Sequence, residues 1–426
     1  MTRPTVAVVG IGRIGLPLAV KLASLGNPVV GCDIDPDRVA QVNRGVNPIP
    51  DEAGLSDLLR GVARSGALRA TTETASAVRE ASVVLFAVAV DVGPDGTADL
   101  RALRAACDDV ARSLPASGKL CIFDTTLPVG TTRDVLVPHL QAHGAALGKD
   151  FSVAFSPERL LMGRVLEDIG KYPKVVGGVD PGSGRRAAEF YRDALGVPVI
   201  ELESAEAAEL SKIAEGVYRD LNIALANELA RTADLHGVDV SEVIAAANSQ
   251  PYCHIHVPGT GVGGHCIPVY PRFLIQGPGP SSLAALGREV NDAMPAYAAG
   301  RLAAALGGLE GRRVLVLGLT FRPNVAVTSH TNALDLLREV TALGATVHGH
   351  DPLLTPEGIR SLGFEPAPEP LSGYDAAIVH AYHTAYRDLA WPGIAPIVFD
   401  ARNALDRAEV EAAGTRYLGV GRPLTP

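Results

Sequence analysis

A thiol among glycines is the first feature able to do chemistry. The segment Gly259-Thr260-Gly261-Val262-Gly263-Gly264-His265-Cys266-Ile267-Pro268 carries Cys266 in a stretch with no core-packing period. A free cysteine is usually a small buried hydrophobe. Here flanking glycines would let a substrate approach the backbone, and a histidine adjoins the thiol. A nucleophilic cysteine can trap an aldehyde as a thiohemiacetal, whose loss of hydride leaves a thioester. Two oxidations at one carbon become possible. Cys253, His254, His256, His265 and Cys266 raise a metal reading, but no CxxC or HxxxH pair gives zinc-type spacing, so no metal is expected.

Such chemistry needs a hydride acceptor, and the N-terminal segment offers a place for one. Gly10-Ile11-Gly12-Arg13-Ile14-Gly15 follows the β-branched run 5–9 and opens the helix-length segment Leu16 to Leu25. In such a turn the first glycine allows the tight bend, the second lets backbone approach a pyrophosphate, and the third lets helix and strand pack closely. The helix N-terminus stabilises the anion. Asp33 ends the next apolar run, 28–32, where a carboxylate would bind the ribose hydroxyls. It would repel a 2'-phosphate, favouring NAD over NADP, although Arg38 nearby weakens that preference. The bland alternative is a glycine turn that only packs a sheet.

Apolar runs at 82–89, 119–123, 151–154 and 174–176 alternate with helical segments such as 100–114, which predicts a parallel sheet covered on both faces. From Ser204 to about His236 the pattern changes to one long helix with apolar Leu210, Ile213, Val217, Leu221, Leu225 and Leu229 at helical spacing. More helix is expected at 241–247 and 281–305, with a Pro- and Gly-rich loop at 257–280 between. A second α/β series starts at Arg313 and continues near 346–351, 375–380 and 396–400. The expected fold class is α/β: an N-terminal Rossmann domain over 1–200, a central helical domain built on the long helix over 201–307, and a C-terminal Rossmann-like α/β domain over 308–426. A chain of 426 residues, 47% hydrophobic and 20% charged, is too apolar for disorder and too long for one core. The net charge of -9, without a basic block, argues against nucleic acid as a partner. No apolar stretch reaches the roughly 20 residues of a membrane helix. Five scattered cysteines and no secretion signal lead us to expect a cytoplasmic protein.

Several segments together carry a specific resemblance. They are Gly10 to Gly15; Thr125-Thr126-Leu127-Pro128-Val129-Gly130-Thr131; Phe155-Ser156-Pro157-Glu158-Arg159; Ala208 to Lys212 with Tyr218 to Glu228; Gly261 to Pro268; Phe321-Arg322-Pro323-Asn324; and Phe399 to Asn403. With these the chain resembles the UDP-glucose/GDP-mannose dehydrogenase family over nearly its whole length, most closely the branch acting on UDP-N-acetylhexosamines, especially UDP-N-acetylmannosamine. The family oxidises the C6 alcohol of a nucleotide sugar to a carboxylate with NAD. The resemblance implies that Cys266 is the thioester nucleophile and that Thr126 holds a water or substrate hydroxyl. Glu158 would be the base for thioester hydrolysis. Lys212 would stabilise oxyanion character at C6 or assist the first deprotonation. NAD would be held by Gly10, Ile11, Gly12, Arg13, Ile14, Gly15, Asp33, Arg38 and Thr126. The nucleotide sugar would be held by Glu158, Arg159, Lys212, Gly263, Arg322 and Arg402. The long helix is similar to the family's dimerisation helix, so a homodimer is expected.

Four places depart from the family pattern. Tyr270 stands where an Asp is usual, Gly216 where an Asn is usual, and Ala326, Val327 and Ser329 where an acidic pair and an Arg are usual. Val88-Ala89-Val90-Asp91 replaces Val-Pro-Thr-Pro. Two alternatives therefore stay open beside the full oxidation. One is a homologue with altered chemistry, by single oxidation or oxidation-reduction epimerisation. The other is a dehydrogenase-like binding protein without turnover.

Overall fold

The structure, a computed structural model, describes residues 3–93, 96–115 and 118–424. The chain divides into two compact units, one of residues 1–215 with 276–278 and the other of residues 216–275 with 279–426. In the first, eight strands form one sheet: β1 (Val6–Val9), β2 (Val29–Cys32), β3 (Leu68–Thr71), β4 (Val83–Phe86), β5 (Lys119–Phe123), β6 (Phe151–Phe155), β7 (Lys174–Gly178) and β8 (Val199–Leu202). Their order is β3-β2-β1-β4-β5-β6-β7-β8. The chain first builds outward from β1 to β3, then returns to lay β4 on the other side of β1. In open α/β sheets ligands bind at the carboxyl ends of strands where the order reverses in this way. Strands β1, β2, β4, β5 and β6 are buried along their whole length, as strands covered on both faces must be.

One pairing departs from the expected parallel sheet. Strand β7 runs antiparallel to β6, with Ala154 opposite Gly178 and Phe155 opposite Gly177. This reversal brings the first residue of β7, Lys174, to the edge where β5 and β6 end. Sequence reading also misses β3 and β8, short strands with exposed positions that break an apolar run.

The second unit holds a six-stranded sheet of β9 (Arg313–Leu317), β10 (Thr346–His350), β11 (Glu365–Pro366), β12 (Ala376–Val379), β13 (Ile397–Asp400) and β14 (Arg416–Gly419). Its order, β11-β10-β9-β12-β13-β14, repeats the reversal beside the first strand, and its described pairs are all parallel. Sequence reading misses β11 and β14 as well, the first of only two residues and the second opening on exposed Arg416. The long helix is Ala205–His236, as its spacing predicts. The helix expected over 281–305 is two, Ser282–Asp292 and Met294–Leu306. Pro295 has no amide hydrogen to continue the ladder, so the chain breaks at Ala293 and restarts with proline in its first turn. Among the described residues no helix is long and apolar enough to cross a membrane.

The loop leaving β5 is fastened from the long helix. Glu209, fully buried, accepts from Gly130 N at 2.6 Å, Thr132 N at 2.8 Å and Thr132 Oγ1 at 2.6 Å. Burial pushes its carboxyl up to about 7, against the pull of these three donors. The unfolded carboxyl titrates near 4.5, so between these values the native state binds more protons. Glu209 therefore contributes most to stability at low pH and loses that contribution as pH rises through about 7. Replacement Glu209→Gln removes the titration. The stability of wild type relative to this variant should fall by up to about 3 kcal/mol from pH 4.5 to 7 and then level off, as read by urea unfolding across that range.

Candidate active site

In the first unit the glycine turn after β1 separates into two kinds of requirement. Gly10 has φ +88°, and a Cβ on it would stand 2.9 Å from Ala87 O, beyond the end of β4. A Cβ on Gly15 would stand 1.9 Å from Gly10 O. Those two glycines satisfy bending and packing. A Cβ on Gly12 would meet nothing within 4 Å, so there the backbone is open at the start of helix Gly15–Ser24. That open backbone fits the pyrophosphate of a dinucleotide. Asp33 follows β2, and its Oδ2 accepts from Ile11 N at 3.1 Å and Arg38 Nη1 at 3.0 Å. Arg38 also faces Asp35 at 3.6 Å, while Arg13 is paired with Asp51 at 2.8 Å. Two carboxylates thus surround Arg38, and this corner disfavours an added phosphate. Ile11 is fully buried under the turn, whereas Ile14 is half-buried.

The carboxyl ends of β5 and β6 carry a cluster that sequence reasoning does not assemble. The β6–β7 register, carried four residues past Ala154, sets Glu158 opposite Lys174, and their Oε1 and Nζ lie 2.6 Å apart. Glu158 N donates to Asp124 O at 3.3 Å, which holds the segment after β6 against the end of β5. The Lys174 ammonium is 3.7 Å from Asp124 Oδ1 and sits over the Tyr191 ring, 4.4 Å from its centre. Tyr191 OH donates to the same Asp124 oxygen at 2.7 Å. Burial opposes charge on Lys174, yet the two carboxylates outweigh it and raise its pKa. Burial pushes Asp124 up to about 7 against the attraction of Lys174. Thr126 is buried in the adjoining loop, where Thr125 Oγ1 donates to Val88 O at 2.5 Å. Arg159 and Lys212 both reach Glu215, each at 3.4 Å, and Arg159 also donates to Pro173 O. One signal for the cluster exists in sequence: Lys174 opens an apolar strand in a chain with only six lysines.

In the second unit Cys266 is half-buried, and its carbonyl accepts from Val269 N at 3.2 Å and Tyr270 N at 3.0 Å, starting the short helix Tyr270–Ile275. Cys32, Cys107 and Cys121 are buried, with burial pushing Cys32 and Cys121 up to about 12. Cys253 is the other half-buried cysteine. The space left by the missing side chains of Gly263 and Gly264 is already filled: a Cβ there would stand 2.8 Å from His330 O and 2.7 Å from the Phe321 ring respectively. These glycines let the protein pack on the cysteine loop, where sequence reading expects them to admit substrate. Arg402, after β13, donates to Gly261 O at 2.9 Å and His380 O at 3.3 Å, and burial lowers its pKa to about 10. Arg322 is half-buried beside the same loop's neighbour Phe321. Among the described residues no group of three or more His, Cys, Asp or Glu could hold a metal ion.

The glycine turn, the cysteine loop and the second α/β sheet have counterparts in known proteins. Residues 4–195 match the NAD binding domain of the UDP-glucose/GDP-mannose dehydrogenase family, residues 206–291 its central domain, and residues 315–407 its UDP binding domain. The chain is 31% identical over 430 residues to a UDP-N-acetyl-D-mannosamine dehydrogenase of Methanococcus maripaludis, covering 98% of this chain and 97% of that one. It is 34% identical to an NDP-N-acetyl-D-galactosaminuronic acid dehydrogenase of Ralstonia solanacearum, over 90% of this chain and 92% of the relative. The solved structure of a UDP-glucose dehydrogenase from Pyrobaculum islandicum superposes with TM-score 0.90 at 30% identity, over 99% of this chain and 98% of that one. This chain belongs to the UDP-glucose/GDP-mannose dehydrogenase family and is an NAD-dependent nucleotide-sugar dehydrogenase.

Proposed function

We propose that the chain oxidises the C6 alcohol of a UDP-hexose or UDP-N-acetylhexosamine to the uronic acid, with Cys266 carrying the intermediate. The observation that carries this reading is the contrast among the cysteines. Three are buried in sheet and helix; of the two half-buried ones, Cys253 and Cys266, only Cys266 follows directly on the glycine-rich segment whose Gly261 carbonyl is held by Arg402. NAD, bound through Gly10 to Gly15, Asp33, Arg38 and Thr126, supplies the hydride acceptor for each oxidation.

Lys212 assists loss of the alcohol proton as the aldehyde forms. The Cys266 sulfur then bonds to the aldehyde carbon, and the thiohemiacetal gives up its hydride to leave a thioester. Glu158 takes a proton from the water that attacks the thioester, which breaks the carbon–sulfur bond and releases the acid. Thr126 holds that water or the substrate hydroxyl. Lys174 and Asp124 fix Glu158, so the base is positioned before water arrives. Arg159, Arg322 and Arg402 are assigned to the nucleotide sugar, Arg322 and Arg402 as cations suited to phosphate, whereas Gly263 packs against His330 O. The names of the Methanococcus and Ralstonia relatives support an N-acetylhexosamine.

A second reading is favoured by Tyr270 and Gly216, which remove two polar groups: a single oxidation or an oxidation-reduction epimerisation. We also propose domain divisions near 200 and 308, supported by family segments that each fall within one of the three parts. A homodimer is supported by Leu210, Tyr218, Leu225 and Leu235, all exposed on the long helix.

Incubation with NAD and a panel of UDP-, GDP- and dTDP-sugars decides the main reading. Full oxidation forms two NADH per sugar and an acid identifiable by mass spectrometry; one NADH, or none, transfers the assignment to the second reading. Replacing Cys266 with Ser should lower acid formation on the order of a thousandfold or more, and full retention would remove the thioester from the scheme. Lys174→Met strands two buried carboxylates and should cost about 3 to 5 kcal/mol of stability. That loss should deepen from pH 5 to 8 as buried Asp124, whose carboxyl is already pushed up, is forced to ionise without a cation, which thermal unfolding at each pH will read. Light scattering at micromolar protein should give twice the chain mass of 44.3 kDa.

A further inference from the structure

Gly216 is the single glycine of the 32-residue helix Ala205–His236, and it is buried. A glycine inside a helix is destabilising, so its place there calls for a cause. The cause is a ring: a Cβ on Gly216 would stand 2.9 Å from both Tyr270 Cβ and Cδ2 and 3.3 Å from Cγ. No real side chain tolerates that approach to the rigid root of another. The Tyr270 ring therefore rests on bare helix backbone and meets Phe273, 6.2 Å between ring centres, on its own short helix. One turn upstream, the Cys266 carbonyl takes the amide hydrogen of Tyr270 itself. Displacing the ring must move this turn, because the ring's backbone and the cysteine's are joined by a hydrogen bond of 3.0 Å. Upstream of the cysteine, Phe321 over Gly264 and Arg402 on Gly261 O already hold the loop. The ring at Gly216 is the anchor on the other side.

We propose that Tyr270, seated in the notch left by Gly216, is a positioning residue for the Cys266 thiol. Two residues 54 positions apart in the chain thus act as one device. The proposal rests on the reading of Cys266 as nucleophile, but its first test reads the thiol without any substrate.

The full-length protein is alkylated with iodoacetamide, and the rate at Cys266 is followed by peptide mass spectrometry, with half-buried Cys253 as internal reference. Tyr270→Phe keeps the ring and should leave the Cys266 rate within about twofold of wild type. Tyr270→Ala and Gly216→Ala should each change that rate at least about threefold while Cys253 does not move. Adding Gly216→Ala to Tyr270→Ala should change it less than about twofold further, since no ring remains to be displaced. With the sugar identified by the panel, kcat should fall tenfold or more in the two single Ala variants while KM for NAD stays constant, on the order expected for a misplaced reacting atom. A smaller response to Tyr270→Ala, an equal response to Tyr270→Phe, or an undiminished effect of Gly216→Ala when Tyr270→Ala is already present overturns the proposal. If Gly216→Ala fails to fold, the Phe and Ala variants of Tyr270 decide it alone. Should Cys266→Ser retain acid formation, the nucleophile reading falls while the alkylation rates still judge the positioning.

Discussion

A buried ammonium between two carboxylates sets the terms for the carboxyl edge of the first sheet. Removing the ammonium leaves both carboxylates uncompensated in a medium that solvates them poorly, so the arrangement holds only if Lys174 arrives with them. Asp124 comes from the end of β5, Glu158 from the segment after β6 and Lys174 from the start of β7. In an all-parallel sheet a strand's first residue lies at the opposite edge from its neighbours' last residues. Reversing β7 against β6 solves this, and the antiparallel register then places Lys174 directly across from Glu158. Topology and electrostatics are here one constraint.

The second unit reaches rigidity by a different route, through the omission of side chains. Glycine at 264 admits the Phe321 ring, and glycine at 216 admits the Tyr270 ring. Each aromatic then presses on backbone, which cannot rotate away as a flexible side chain can. The cysteine loop is in this way held by rings and by one buried guanidinium, Arg402, whose hydrogen bonds go to main-chain carbonyls. Cys266 thus lies half-buried in a glycine-rich loop packed on both sides.

Features that depend on neighbours along the chain are legible in the sequence. The turn Gly10 to Gly15, the buried strands and the long helix each carry their own period or spacing. Interactions across many residues are not. Lys174 and Asp124 are fifty positions apart, and nothing in either segment marks the other as its partner. Glu209 reads as one more polar position on a helix, although its carboxyl closes three donors on a loop far away in sequence. The glycines around Cys266 are legible as glycines but not in purpose, because whether missing atoms make room for a ligand or for a phenyl ring depends on what the fold brings beside them. Strands β3 and β8 are illegible for a simpler reason: edge-side exposure dilutes the apolar run that marks a strand.

The two replacements at 216 and 270 bear on how work is divided within the proposed chemistry. An amide and a carboxylate at those positions would be polar groups; a bare backbone and a ring supply shape in their place. Losing an oxyanion donor commonly costs a hundred- to a thousandfold in rate, on the order of 3 to 4 kcal/mol. In the proposed scheme sulfur addition and hydride loss depend first on alignment, the part assigned to the Tyr270 ring seated on Gly216. Hydrolysis depends on a proton acceptor for water, a demand that the proposed scheme assigns to Glu158. Beside Glu158, burial pushes the Asp124 carboxyl up to about 7 against the attraction of Lys174. On that scheme shape replaces polar groups at 216 and 270, while Asp124, Glu158 and Lys174 keep theirs at the carboxyl ends of β5 and β6.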